Sequence, residues 1–437
     1  MSASGRASYK KNGLNSPRAW LVCLVISLFF FYEFLQLNIF NSIAQDIQST
    51  FGLSSTKVGY LASMYFYGNF LMVIPAGMLL DRYSTRTIAL TAMLLSTLAT
   101  IVFSVTHSFE LAATCRFLAG TGAGFCFLSC IRLASRWFTA NKLAFVTGVI
   151  VTMAMLGGLV AQTPMTILAE MIGWRHAMLS NGILGLIIVA LIFLIVRDCP
   201  AVEDGHIQQE HQQLQRYGVL HSLAHVVKNK NNWLGGFYTM LMNLPIFILG
   251  ALWGMIYLER VHGITHAQAS YVASMLFVGV IFGSPAFGWF SDKIQSRRMP
   301  MFIGAIASLV VILPVLYVPH LSVTILLILF FSLGFLTSSQ VISYPAIAEL
   351  NPIELTASAI SIISVVIMAS GIIVQPLTGW LIGLHWDHTM VNGQPVYLTS
   401  DFMWAMLIMP VCFVLSFFTA LGIKETGCRS EYEHLSD

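Results

Sequence analysis

Apolar stretches about twenty residues long, broken by short polar connections, recur along the whole chain. About 20 residues is the length a helix needs to cross roughly 30 Å of hydrocarbon. Twelve such stretches lie near 19–40, 58–80, 88–106, 109–131, 144–168, 177–196, 234–257, 269–290, 301–318, 321–345, 357–384 and 402–423. They predict an all-α integral membrane protein with twelve transmembrane helices. Hydrophobic residues make up 57% of the 437 positions and charged residues 9%, whereas about a quarter of a soluble chain is charged.

The distribution of charge sets an expected orientation, because Lys and Arg are retained preferentially on the cytoplasmic side. One alternating set of connections, both termini included, carries Arg6, Lys10, Lys11, Arg18, Arg82, Arg86, Arg132, Arg136, Lys142, Arg197, Arg216, Lys228, Lys230, Lys293, Arg297, Arg298, Lys424 and Arg429; the other carries Lys57, Arg175 and Arg260. Both termini are therefore expected in the cytoplasm. The net charge of +3 reflects this topology and gives no reason to expect a nucleic-acid partner. The first apolar stretch has a basic lead but no small-residue cleavage site, which predicts a retained helix rather than a signal peptide. The seven cysteines show neither metal-like spacing nor a disulfide framework.

The only long polar connection separates the sixth stretch from the seventh, giving an N-terminal six-helix bundle at 1–198, a cytoplasmic linker at 199–232 and a C-terminal six-helix bundle at 233–437. Within the linker, VLHSLAHVV could form a short helix on the membrane surface. The two halves repeat: GYLASMYFYGNF (59–70) aligns without gaps with SYVASMLFVGVI (270–281), and GMLLDRYSTR (77–86) aligns at the same offset with GWFSDKIQSR (288–297). A duplicated six-helix unit is a transporter architecture, with the substrate path between the halves.

These motifs resemble the major facilitator superfamily over nearly the whole chain. Its loop signature between the second and third helices is matched by Gly77, Asp81, Arg82 and Arg86, with Ser84 in place of a glycine; its second copy is matched by Gly288, Asp292, Lys293 and Arg297. Arg116, Gly120 and Gly122 match the fourth-helix pattern, and RWF (136–138), GWR (173–175) and KET (424–426) are smaller echoes. The resemblance implies two pseudo-symmetric bundles, a monomer, and a conformational latch in which Asp81 meets the start of the eleventh helix near Thr356. It places the protein in a bacterial inner membrane. MLGGLVAQTP in the fifth stretch lacks the pattern of drug-proton antiporters, which counts against efflux. YEFLQ, RWF, GWR and the loop AELNPIELTASA (348–359) are also similar to nutrient importers of the bacterial phagosomal transporter group.

Glu33 and Arg116 are the charges placed well inside spans. An ionised group at mid-bilayer costs on the order of 3 kcal/mol on insertion scales, so such residues face a cavity or a partner. One helix runs outward and the other inward, so their depths match. Glu33 is the candidate proton carrier and Arg116 its competitor for the carboxylate; a permanent ion pair and direct substrate binding are the alternatives. Polar stripes nominate Tyr32, Gln36, Gln162, Asn243, Trp253, Tyr257, Gln340 and Gln375 as substrate-binding residues, although small and amide residues also glue membrane helices together.

A single buried cation does not suit a polyanion, so the expected substrate is a small polar organic nutrient: an amino acid, short peptide or nucleoside. Protons and lipid are the other expected partners. No P-loop, metal-ligand cluster or activated nucleophile is found, so neither cofactor nor metal is expected, nor an enzyme. Proton-coupled uptake is the leading expectation, efflux of a drug, metabolite or siderophore the alternative, and a non-transporting membrane sensor the third.

Overall fold

The computed structural model describes residues 16–138, 140–198, 226–351, 356–384, 386, 390–391, 394–395 and 397–428, with the side chains of 74, 78, 81, 82, 140–145, 356–358, 390–391 and 394–395 left aside. Most of the linker therefore lies outside the described residues, as does nearly all of VLHSLAHVV.

Ten helices among the described residues are long and apolar enough to span a bilayer. Ser55–Arg82, with Pro75 inside it, supplies span two. Lys230–Met242, a π-helical turn Ile246–Gly250 and Gly254–His262 together supply span seven. The fold is thus the expected twelve-helix one. An addition among the described residues is a two-pair antiparallel ladder, Met390–Val391 against Gln394–Pro395, in the connection before span twelve.

Local sequence explains where the spans begin and bend. Ser84, Ser108 and Ser322 cap the following helices by accepting hydrogen bonds from backbone N–H groups, and Thr265 with Gln268 forms a capping box, as expected for hydroxyl residues before apolar runs. Span five breaks at Gln162, between Ala140–Ala161 and Thr163–Ile172, where Pro164 predicts a kink. Span ten passes through a 3-10 turn at Ser338–Ile342.

Span seven departs from expectation. In an unbroken helix Asn243, Phe247, Gly250, Gly254 and Tyr257 would share one stripe, but the π turn and the non-helical residues 251–253 interrupt the period. A π turn carries an extra residue per turn, so residues beyond it no longer share a face with those before. Pro245, which has no N–H to give, sits where the regular helix stops.

Tight packing of spans two and four is repeated in spans eight and ten. A Cβ added to Gly68 would fall under 3.0 Å from Phe117 O and Thr121 N; one added to Gly279 would do the same with Phe331 O and Phe335 N. Only glycine permits such an approach of two helix backbones.

By contact the chain forms two compact units: 1–36, 67–157 and 172–218 in the first, and 37–66, 158–171 and 219–437 in the second. The first holds a core of Val22, Ile26, Phe29, Met93, Leu133, Ile150 and Ile188. In the second, the ends of spans one, two and five pack with spans seven to twelve. Phe66 meets the Phe247 ring edge-on at 5.1 Å, and Ser55 Oγ donates to Gly379 O at 2.8 Å.

Candidate functional site

Span one, Pro17–Asn38, carries Glu33 within the first unit, where it is 2% exposed. Lipid would cover only surface that is open, so this carboxylate does not face the acyl chains. Arg116 lies in Phe109–Ala123 and is 3% exposed. Its Nη1 donates to Gln36 O at 2.9 Å, one helical turn beyond Glu33 on span one. Gln36 Nε2 in turn donates to Thr100 Oγ1 at 2.7 Å, and Tyr32 OH donates to the same oxygen at 3.3 Å. Gln36, Thr100, Cys115, Arg116 and Met178 line a narrow cleft. Spans one, three and four thus bring four of the nominated residues, Tyr32, Glu33, Gln36 and Arg116, to one region.

A second polar centre lies in the second unit, around the break in span seven. Asn41, in the helix Phe40–Phe51 that continues span one, was missed in the sequence because it lies just past the end of the first apolar stretch. Its Nδ2 donates to Gln162 Oε1 at 2.7 Å and to Leu249 O at 2.9 Å, while its Oδ1 accepts from Met255 N at 3.0 Å. Gln162 Nε2 donates to Gly250 O at 2.8 Å, and Gln375 Nε2 donates to Phe247 O at 2.5 Å. Backbone groups released from a membrane helix must find partners in neighbouring spans, and here carboxamides provide them. Trp253 is 2% exposed within the same break.

The remaining nominated residues are occupied locally. Tyr257 OH donates to Val315 O at 2.8 Å, linking spans seven and nine. Asn243 ends Lys230–Met242, its N–H donating to Thr239 O at 3.0 Å. Gln340, 7% exposed, lies in the 3-10 turn of span ten.

At the basic ends of the spans, the C-terminal copy of the loop signature forms a charge cluster. Arg297 Nη1 meets Asp292 Oδ1 at 2.7 Å and its Nη2 meets Glu349 Oε1 at 2.6 Å. Glu425 of the KET echo accepts from Arg297 N and Arg298 N, both at 2.9 Å, and from Ser296 Oγ at 2.7 Å. Burial works against the charge on Glu425, but these donors and Gly427 N–H outweigh it and hold the carboxyl down at about 2. The N-terminal copy has a counterpart: Asp198 accepts from Arg86 N at 2.8 Å and from Ser84 Oγ. Arg86 lies over the Phe193 ring, 5.2 Å from its centre. Gly77 and Gly288 have open space where a Cβ would sit, and Lys293 Nζ stands 4.8 Å over the Trp289 ring. The side chains of Asp81, Arg82 and Thr356 lie outside the described residues, so the Asp81 latch does too.

Among known proteins, the chain is 26% identical over 339 residues to a probable sulfoacetate transporter of Cupriavidus necator, covering 74% of this chain and 78% of that one. It is 22% identical to a probable galactarate/D-glucarate transporter of Escherichia coli, over 93% of this chain and 96% of the relative. It is also 23% identical to a membrane sensor protein of Escherichia coli, over 80% and 82%. Its fold matches the inward-facing, unoccupied crystal structure of a bacterial homologue of the human lysosomal transporter Spinster, with a TM-score of 0.75 at 16% identity, covering 94% of this chain and 98% of that one. The family model of the Major Facilitator Superfamily matches residues 24–258 and 235–426, and the chain belongs to that superfamily.

Proposed function

We propose that this multi-pass membrane transporter of small organic substrates works by proton-coupled uptake across a bacterial inner membrane, with both termini in the cytoplasm. The observation that carries this reading is the burial of both Glu33 and Arg116 within the first unit, with the guanidinium anchored on the span-one turn that follows Glu33. Burial raises a carboxyl pKa and a nearby cation lowers it, so motion of span four against span one alters the proton affinity of Glu33. Protonation of Glu33 leaves Arg116 to an acidic group on the substrate; release of the proton on the other side returns the guanidinium to the carboxylate. The halves 1–198 and 233–437 are the bodies that rock, joined by the linker at 199–232, and the monomer is the working form. The latch of Gly77, Asp81, Arg82 and Arg86, with its second copy Gly288, Asp292, Lys293 and Arg297, holds the outward-open state.

The two transporters cited above are named for organic acids, and Arg116 is the buried guanidinium able to take one acidic group. These points favour a small organic acid, amino acids included, over a short peptide or nucleoside. Tyr32, Gln36, Gln162, Asn243, Trp253, Tyr257, Gln340 and Gln375 are the proposed substrate contacts. In proteoliposomes, acidifying the outside is expected to drive accumulation of the substrate, and Glu33→Gln to abolish accumulation while exchange across the membrane persists. Full gradient-driven uptake by Glu33→Gln would remove the proton reading.

A second reading is a membrane sensor, favoured by the similarity to a protein of that description. Ligand binding to the purified protein, detected as a thermal shift, without transport of that ligand in proteoliposomes would select it.

A further inference from the structure

Span seven loses its regular hydrogen bonding where it breaks. Trp253 N–H donates to Ile248 O at 2.8 Å, one residue further back than an α-helix would reach, and Met255 N–H goes to a side chain, Asn41 Oδ1, at 3.0 Å. The displaced carbonyls, Leu249 O and Gly250 O, accept from Asn41 Nδ2 and Gln162 Nε2 at 2.9 and 2.8 Å. A single carboxamide of span one therefore stitches both sides of the break, and its neighbour from span five completes the pattern. Gly254 lets the backbone come this close at the break: a Cβ there would collide with the Leu249 carbonyl. Asn41 and Gln162 are 1% and 0% exposed, so bulk water does not compete for these carbonyls.

We propose that this carboxamide clasp is the closed form of a substrate-operated gate. When spans one and five move away from span seven, Leu249 O and Gly250 O accept hydrogen bonds from hydroxyl or ammonium hydrogens of the substrate instead of from Asn41 and Gln162. The inference rests on the rocking of the halves proposed above and assigns hydroxyl or ammonium donors of the substrate to the span-seven carbonyls. A hydroxy acid or an amino acid carries such donors; a simple dicarboxylate or sulfonate does not.

Asn41→Asp tests it with little change of shape, because it keeps the acceptor for Met255 N–H and removes the donor to Leu249 O and to Gln162 Oε1. In a cysteine-free chain bearing Met255→Cys, labelling by an impermeant maleimide from the side opposite the basic loops is expected to quicken at least about fivefold on adding Asn41→Asp, the shift that loss of even one of these two hydrogen bonds gives. Equal rates with and without Asn41→Asp overturn the gate. Where Asn41→Asp fails to fold, Gln162→Glu, which removes the donor to Gly250 O alone, gives the same comparison. The ligand claim is read by thermal shift: D-galactonate, rich in hydroxyls, is expected to stabilise Asn41→Asp more than the parent, and sulfoacetate, with no donor, to stabilise both alike. Equal response of both proteins to D-galactonate overturns it. Labelling needs neither a pH gradient nor a substrate, so failure of proton-driven uptake in the Glu33 assay is separable from failure here.

Discussion

Spans two and four and spans eight and ten are copies of one another, yet they have different chemistry. Gly68 packs on the backbone of Phe117 to Thr121, and Gly279 packs on Phe331 to Phe335 in the same pattern. The offset of 214 that carries Gly120 onto Gly334 in these contacts carries Arg116 onto Phe330, which is fully buried. One half therefore keeps a guanidinium where the other keeps a ring. Both copies have the same packing while only one carries a charge at that position, which separates what the fold requires from what the proposed coupling requires. The basic ends differ in the opposite sense. The same offset places Ser135 opposite Glu349, so the buried Arg297 cluster of the C-terminal half has an uncharged residue at the matching N-terminal position.

The sharpest way to break this comparison is to make the halves alike. Arg116→Phe copies the C-terminal residue and is expected to reduce uptake at least tenfold in proteoliposomes while leaving the protein in the membrane fraction; near-normal uptake would deny the charge any role. Next come the shared glycines. Overpacking costs about 1–3 kcal/mol, and because the clash is with backbone, Gly68→Ala and Gly279→Ala are each expected to lower the thermal midpoint in detergent by a similar amount. A loss in one and none in the other would show that the two contacts are not equivalent.

A smaller effect belongs to Glu349→Gln, which removes one of the two carboxylates paired with Arg297 and leaves Asp292 and Ser291 Oγ; about 1–2 kcal/mol is expected, since breaking a buried pair costs more than a surface pair contributes. Ser135→Glu should have no stabilising effect, and a rise in midpoint would show that the N-terminal half can host the same cluster. Smallest is the pH effect of Glu425. Its carboxyl is depressed to about 2 in the folded protein, below the usual range near 4.3. Its contribution is present above the unfolded value and is lost as pH falls through the folded one. Glu425→Gln is therefore expected to flatten the fall in thermal midpoint between about pH 4 and pH 2; an unchanged slope would remove Glu425 as a contributor.

Much of this molecule was legible in its sequence. Hydrocarbon leaves no choice but long apolar helices with their backbone bonds made internally, so the twelve spans, the repeat and the burial of Glu33 and Arg116 were all open to inference from residue order. The polar residues nominated from stripes were legible only as candidates, because a period cannot say which amide binds a neighbouring carbonyl. Gln162 and Gln375 turn out to hold the broken part of span seven, and Asn41, just past the end of its apolar stretch, carried no signal at all. The break itself escaped because the stripe from Asn243 to Tyr257 presumes an unbroken helix, whereas the π turn at Ile246–Gly250 is stabilised by side chains of spans one, five and eleven. Local sequence and the solvent thus determined the number and approximate length of the helices and their repetition in two halves. Which polar groups met, and where a helix could afford to break, depended on partners 64 to 208 residues away at the two polar centres and was decided only by tertiary packing.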